Sequence, residues 1–250
     1  MKVQLIRSAT LRLLVADRRY LIDPWLARKS EGRSYAGRGR SPLVPLPLPL
    51  DEIVGGIDAV IVSHLHSDHF DEAARAALPG DIRIFSSARD AAAIAAQGFE
   101  NVAPIGSELR DGNVVIGLAS GRHGPPEVLA EMGDVSGFVF RAEGEPVLYW
   151  AGDTILCEEV RETIAAVEPD VIVVHACGAS WNGIGPLVMD EAMVAEVLRI
   201  APRASVIATH LDAVDHATVS RSALRRHFEA HPELAARLHI PADGETLEFA

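Results

Sequence analysis

A formal net charge of −12 over 250 residues argues against the basic footprint of a nucleic-acid binder. With 48% hydrophobic and 23% charged residues, the chain is long enough to bury a sizeable core as one domain over 1–250. Cys157 and Cys177 are too few for a disulfide framework, no stretch approaches the roughly 20 apolar residues of a membrane span, and Arg7 and Arg12 interrupt any apolar leader, so a cytoplasmic protein with neither membrane nor nucleic-acid partners is expected.

In chain order, "VQLI", "LRLLVA" and "RYLID" read as short strands, with Asp17-Arg18 as a hairpin turn. From Ala27 to Leu50 the residues turn to Gly, Arg and Ser. Prolines at 45, 47 and 49 follow, which neither a helix nor a central strand tolerates. This predicts a long loop, and loops of that length are commonly functional. "IDAVIVS" then reads as a buried strand. "DEAARAAL" reads as a helix with Asp71 as its N-cap, and Pro79-Gly80 as its stop. "IRIF" and "SARDAAAIAAQ", capped by Ser87, repeat the unit. Strands dominate from Val102 to Gly152, after which helices near Leu156–Val167, in "MDEAMVAEVLRI" and in "HATVSRSALRRHFEA" alternate with the strands "DVIVVHA" and "SVIAT". The order β-rich, βα, β-rich, βα predicts an α/β fold, an αββα sandwich of two mixed sheets with helices on the outer faces.

The chemistry concentrates in "SHLHSDHFD", Ser63–Asp71, where the strand "AVIVS" runs out. Residues two apart on an extended segment share a face, so His64, His66 and Asp68 point together while His69 aims elsewhere. Imidazole and carboxylate suit Zn²⁺, Mn²⁺ or Fe. Four donors in six residues exceed what one tetrahedral ion takes from so short a stretch, and two neighbouring ions are the economical solution. Further donors are expected at other strand ends: His123 in "SGRHGP", Asp153 in "WAGDT" and His210 in "ATHLD".

These motifs, "SHLHSDH", "RHG", "AGDT" and "THLD" in that order, resemble the metallo-β-lactamase-fold hydrolase superfamily across nearly the whole chain. "LIDPWL" and "GPLVMD" make the sequence most similar to the group that includes the ascorbate-6-phosphate lactonase-like proteins. The resemblance implies one metal held by His64, His66 and His123 and a second by Asp68, His69 and His210. Asp153 would bridge them. It also implies hydrolysis by a metal-bound hydroxide, with Asp68 and Asp153 orienting the water and Asp68 moving its proton. Zn²⁺ is the first choice of metal, with Mn²⁺ or Fe as alternatives.

Around this set, Asp23 in "LIDPW" is a candidate neighbour of the metals, and Asp212 and His216 are candidates for substrate contact or proton relay. His175 reads as a satisfied histidine at a sheet edge, while His227, His231 and His239 fall in a polar helical region. Arg28, Lys29, Arg33, Arg38 and Arg40 put five cations on the long loop and predict steering of an anionic substrate, with Trp25, Tyr35 and Trp181 as apolar walls. The expected function is a dinuclear hydrolase of a small anionic ester, lactone or phosphodiester. The alternatives are a nuclease of the same fold and a non-catalytic metal-binding regulator.

Overall fold

The computed structural model describes residues 1–250. Its strands fall into two seven-stranded sheets with matching plans. The first sheet holds β1 (Lys2–Arg7), β2 (Thr10–Val15), β3 (Arg18–Ile22), β4 (Ala59–Val62), β5 (Arg83–Ser87), β6 (Asn101–Ile105) and the C-terminal β14 (Thr246–Glu248), in the order β14-β1-β2-β3-β4-β5-β6. The second holds β7 (Glu108–Asp111), β8 (Val114–Ser120), β9 (Ser136–Arg141), β10 (Leu148–Trp150), β11 (Val171–His175), β12 (Ser205–Thr209) and β13 (Leu238–His239), in simple order from β13 to β7. In each, one half is an antiparallel meander and the other is parallel: β3 to β6 in the first sheet, β10 to β13 in the second.

Period-two alternation decides what faces what. Val171 and Val173 of β11 turn inward with Trp150, Phe138 and Phe140, meeting Leu11, Tyr20 and Ile61 of the first sheet in the core between the sheets. Ile172 and Val174 turn outward onto α5 (Glu158–Val167) and α6 (Glu191–Ile200). On the other side Val60, Val62 and Ile84 pack beneath α2 (Glu72–Ala77) and α3 (Ala88–Ala95). The predicted αββα sandwich is therefore the observed one. No helix is long and apolar enough to cross a membrane.

The predicted caps are in place: the Asp71 carboxylate accepts from the Ala74 N–H at 2.8 Å and Ser87 Oγ accepts from Asp90 N–H at 3.3 Å. Several boundaries differ. The first hairpin turns at Ala16-Asp17, since Arg18 already pairs with Val15. The long loop ends in α1 (Leu50–Val54), and α4 (Leu129–Met132) interrupts the strand-rich region. The helix expected from His216 starts only at Arg221, as α7 (Arg221–Glu229), because Ser220 Oγ caps it by accepting from Ala223 N–H. Residues 210–219 are left as a loop over the site. The short α8 (Pro232–Ala235) follows, and His239 lies on β13 and not in a helix.

Parallel strands deliver their C-terminal ends to one edge of a sheet, where the backbone turns and ligands bind. Asp23 follows β3, His64 follows β4, Asp153 follows β10, His175 ends β11 and His210 follows β12. Strand β8 runs in the same sense as β10, being antiparallel to β9, and brings His123 to that edge.

Candidate functional site

Each donor is set by a local backbone requirement. After β4 the chain bends at Ser63 and turns over Ser67–His69, with His69 and Phe70 N–H groups donating to the His66 carbonyl at 3.0 and 3.1 Å. That turn defeats the alternation argument: His69 does not aim elsewhere but folds back beside His64, ring centroids 4.1 Å apart. Gly152 has φ +73°, and a Cβ there would lie 2.7 Å from the Trp150 ring, so only glycine lets the chain leave β10 and present Asp153. Asp23 and His210 adopt φ values of +45° and +61°, strained for side-chain-bearing residues and of the kind that collects at functional sites.

The imidazoles converge on the Asp153 carboxylate. Its Oδ2 lies 3.1 Å from His69 Nε2, 3.3 Å from His123 Nε2 and 3.9 Å from His64 Nε2; its Oδ1 lies 3.8 Å from His210 Nε2. Potential donor atoms lie within 4.8 Å of one another in two principal groups, His64–His66–His123–Asp153 and His69–Asp153–His175–His210. Asp153 belongs to both. Asp68 belongs to neither; its Oδ2 is 3.7 Å from His210 Nε2 and its side chain lines the cavity above.

The far sides of the rings are tied down. Ser63 Oγ donates its only proton to Asp23 Oδ2 at 2.6 Å, so it accepts from His64 Nδ1–H at 2.9 Å. His69 Nδ1–H donates to Asp23 Oδ2 at 2.6 Å, His123 Nδ1–H to the Leu187 carbonyl at 3.1 Å, and His175 Nδ1–H to Asp153 Oδ1 at 2.5 Å. His210 Nδ1 sits 3.6 Å from Cys177 Sγ. The Nε2 atoms of His64, His69, His175 and His210 are buried with no hydrogen-bond partner. Orphaned buried nitrogens are costly, and carboxylate- or carbonyl-bound Nδ1 with free Nε2 is the arrangement of metal-binding imidazoles. The donor set fits divalent metal.

Electrostatics agree with that fit. Burial is the chief cause lowering His64, His66 and His210, the last to about 3, which keeps them neutral. Burial also disfavours charge on His69, but Asp153 and Asp23 outweigh it and hold that imidazole well above its ordinary value. Burial raises the Asp153 and Asp68 carboxyls, yet the charged His69 beside them leaves both below their usual range.

Above this floor is a cavity of about 250 Å³ walled by Tyr35, Met132, Trp181, Leu187 and His216. His216 is brought in and its Nδ1 is unpartnered. Asp212 is not: its carboxylate accepts from the Arg221 guanidinium at 3.1 Å and from the Arg221 N–H at 3.2 Å, orienting the start of α7. Of the five loop cations only Arg33 lines the cavity, its guanidinium 4.7 Å over the Tyr35 ring. Arg40 instead donates to the Gly32 and Glu31 carbonyls of its own loop. Trp25 stands behind the cavity, beneath the buried guanidinium of Arg7. The residue the sequence reading missed is His175, which is fully buried at the end of an interior strand and not at a sheet edge. Its signal was present: Val171, Val173 and His175 alternate inward, which directs the imidazole toward Trp150 and Asp153.

Comparison with known proteins places this architecture. A family model described as a beta-lactamase superfamily domain matches residues 18–211. The chain is 37% identical over 255 aligned residues, spanning all of both chains, to the UPF0173 protein YddR of Bacillus subtilis. It is similar to the crystal structure of isothiocyanate hydrolase from Delia radicum gut bacteria, with 34% identity, a TM-score of 0.95, and 100% and 99% of the two chains covered. It is similar too to a possible metal-dependent hydrolase from Veillonella parvula DSM 2008, with 30% identity, a TM-score of 0.95, and 99% and 98% covered. None of these singles out the ascorbate-6-phosphate lactonase-like group.

Proposed function

The chain belongs to the beta-lactamase superfamily as a metal-dependent hydrolase, and we propose that it acts on small neutral carbon electrophiles, isothiocyanates foremost, at a dinuclear centre. The observation that carries the reading is the convergence of imidazole Nε2 atoms on one carboxylate while their Nδ1 protons are engaged elsewhere. His64, His66 and His123 would hold one ion and His69, His175 and His210 the other, with Asp153 common to both sets; Zn²⁺ is the first choice, Mn²⁺ and Fe the alternatives. When bound, such ions supply a water acidic enough to attack at neutral pH and polarise the electrophile.

The chain's own residues divide the remaining work. Asp23 and Ser63 lock the tautomers of His69 and His64. Asp68 lies outside both donor groups and faces the cavity, its carboxylate 3.7 Å from His210 Nε2, and so accepts the proton of the attacking water. Asp68 then returns that proton to the departing nitrogen, and the neutral His216 ring lines the same cavity beside it. Water adds to the central carbon of R–N=C=S, the C–N bond breaks, and a primary amine and carbonyl sulfide leave; one water is consumed and no electrons are exchanged. The walls support a neutral substrate: Met132, Trp181 and Leu187 are apolar, and the single cation Arg33 is matched by Glu131, which accepts from Trp181 Nε1–H at 2.8 Å. The likeness to an isothiocyanate hydrolase at 34% identity supports the same choice. The whole of 1–250 acts as one domain, and two free buried cysteines suit the reducing cytoplasm.

A second reading, hydrolysis of a small anionic ester, lactone or phosphodiester, rests on Arg33 at the cavity wall. Elemental mass spectrometry on protein purified without added metal, followed by assays with allyl isothiocyanate, a γ-lactone and bis(4-nitrophenyl) phosphate, separates the two. Two ions per chain with amine release from allyl isothiocyanate is expected. Turnover of only the phosphodiester or lactone, lost in Arg33→Ala, would move the assignment to the anionic class. Metal-free protein that takes up neither Zn²⁺ nor Mn²⁺ would end both.

A further inference from the structure

The cavity over the donor cluster has a neighbour. A second cavity of about 470 Å³ lies between Trp25, Ala27 and the first turns of α2, at Ala73 and Ala76. The two share Arg33 and Tyr35 as wall, and they back onto opposite sides of one turn: His66 and Asp68 face the first cavity, while Ser67 between them faces the second. The Tyr35 hydroxyl meets Ser67 Oγ at 2.9 Å, closing the wall. The ring is braced on both flanks, by the His216 ring with centroids 4.7 Å apart and by the Arg33 guanidinium at 4.7 Å. Its backbone is pinned as well, since Tyr35 N–H donates to Asp215 Oδ1 at 2.7 Å and Ser34 Oγ donates to Asp215 Oδ2.

We propose that Tyr35 sets the length of substrate this enzyme accepts, and that the second cavity is a closed-off subsite for an alkyl or aryl tail whose reactive group sits over the donor cluster. The first cavity, at about 250 Å³, falls short of the roughly 300–1,000 Å³ typical of small-molecule sites; joined to the second it falls well inside that range. The chemistry of the second cavity suits an apolar tail. Trp25, Ala27, Ala73 and Ala76 supply the walls; the Asp71 carboxylate is consumed by Leu26, Ala27 and Ala74 N–H groups, leaving Glu31 and Glu72 as exposed acids among the lining residues. With Tyr35 in place a tail beyond a few carbons meets the ring. With the ring removed, each additional methylene gains contact with these walls, worth up to about fourfold in affinity where it is fully covered.

The proposal rests on the hydrolase reading for its reactive group alone, and the test separates the two. For wild type, Tyr35→Ala, and Tyr35→Ala with Ala76→Trp, kcat/KM is measured on n-alkyl isothiocyanates from propyl to decyl. Calorimetry on the zinc-loaded proteins gives the affinity of n-alkyl hydroxamates of matching length. Ala76 is exposed on α2, so a bulky residue there fills the second cavity without entering the core. The ratio of octyl to propyl, compared within each protein, is expected to rise at least tenfold in Tyr35→Ala and to return toward wild type when Ala76→Trp is added. General damage to the site would move both lengths together. A shifted hydroxamate profile without isothiocyanate turnover would keep the partition and discard the substrate class. Isothiocyanate turnover with one length profile in all three proteins would do the reverse, and hydroxamates that bind none of the proteins would overturn the partition.

Discussion

The floor and the roof of the cavity are built on opposite principles. The floor is made of strand ends: Asp153, His175 and His210 hang from β10, β11 and β12 and are buried, each imidazole with its Nδ1 engaged and its Nε2 left free. The roof is the segment from Arg28 to Pro49, which contains no helix or strand. It hangs from two charges. Arg7, buried on β1, donates to the Val44 carbonyl within it and to the Trp25 and Ala27 carbonyls just ahead of it, and Asp215 gathers the N–H groups of Tyr35, Ala36 and Arg38. Strand pairing immediately ahead of these residues fixes the floor, and hydrolytic chemistry requires such positioning. The roof is fixed by a few side-chain anchors that substitution can alter without touching the chemistry.

The largest effect comes from the one floor residue both donor groups share. Asp153→Ala is expected to lose most bound metal and at least ~10³-fold in kcat, read by elemental analysis beside single-turnover assays; retention of two ions per chain would break the account. Next come a donor and the residue that orients another. His175→Phe is expected to lose one whole ion per chain, read by elemental analysis; retention of two ions would remove that imidazole from the ligand set. Asp23→Asn, behind His69, is expected to weaken metal affinity about 10–100-fold, measured by competition with a chromophoric chelator.

The roof should respond differently. Asp215→Asn leaves loop N–H groups short of acceptors, a loss of ~1–3 kcal/mol, or several degrees in Tm. Metal content is expected to stay at the parent value while KM rises several-fold and kcat moves less. A fall in metal content in this variant would show that roof and floor are one unit.

The same division explains what could be read in advance. The floor was legible because its donors sit in short motifs at strand ends, and a buried parallel strand followed by His or Asp is a local pattern. His69 was misdirected because two-residue alternation fails once the chain turns at His66. His175 was passed over because its partner, Asp153, is 22 residues away and meets it only through the parallel pairing of β10 with β11. The roof was harder still. Five loop cations looked alike in sequence, yet Arg33 stacks on Tyr35 at the cavity while Arg40 satisfies its own loop's carbonyls. Asp215, which organises that loop from some 180 residues away, carries no motif at all. Long-range anchors of irregular segments leave no periodicity to detect.

The smallest predicted effect concerns protons at the floor. Without metal, His69 lies between Asp23 and Asp153, which together hold its pKa well above the ordinary value of a histidine against the effect of burial. A folded pKa above the unfolded one gives stability that is complete below about pH 6.5 and is lost as pH rises through the folded value. His64, His66 and His210 are shifted the other way, so their contribution grows as pH rises toward the same 6.5 or so. The metal-free protein is therefore expected to be most stable near neutrality. On the alkaline side it should lose roughly 1–2 kcal/mol per pH unit, a few degrees of Tm for a chain of this size. Metal binding must expel the His69 proton, so Zn²⁺ affinity should climb about tenfold per pH unit across the same window. Differential scanning calorimetry of chelator-treated protein from pH 6 to 9, beside His69→Gln, reads the first effect. If His69→Gln keeps the parent's alkaline slope, the proton is held elsewhere, and the tie between Asp23 and His69 is structural support and not part of the metal's proton balance.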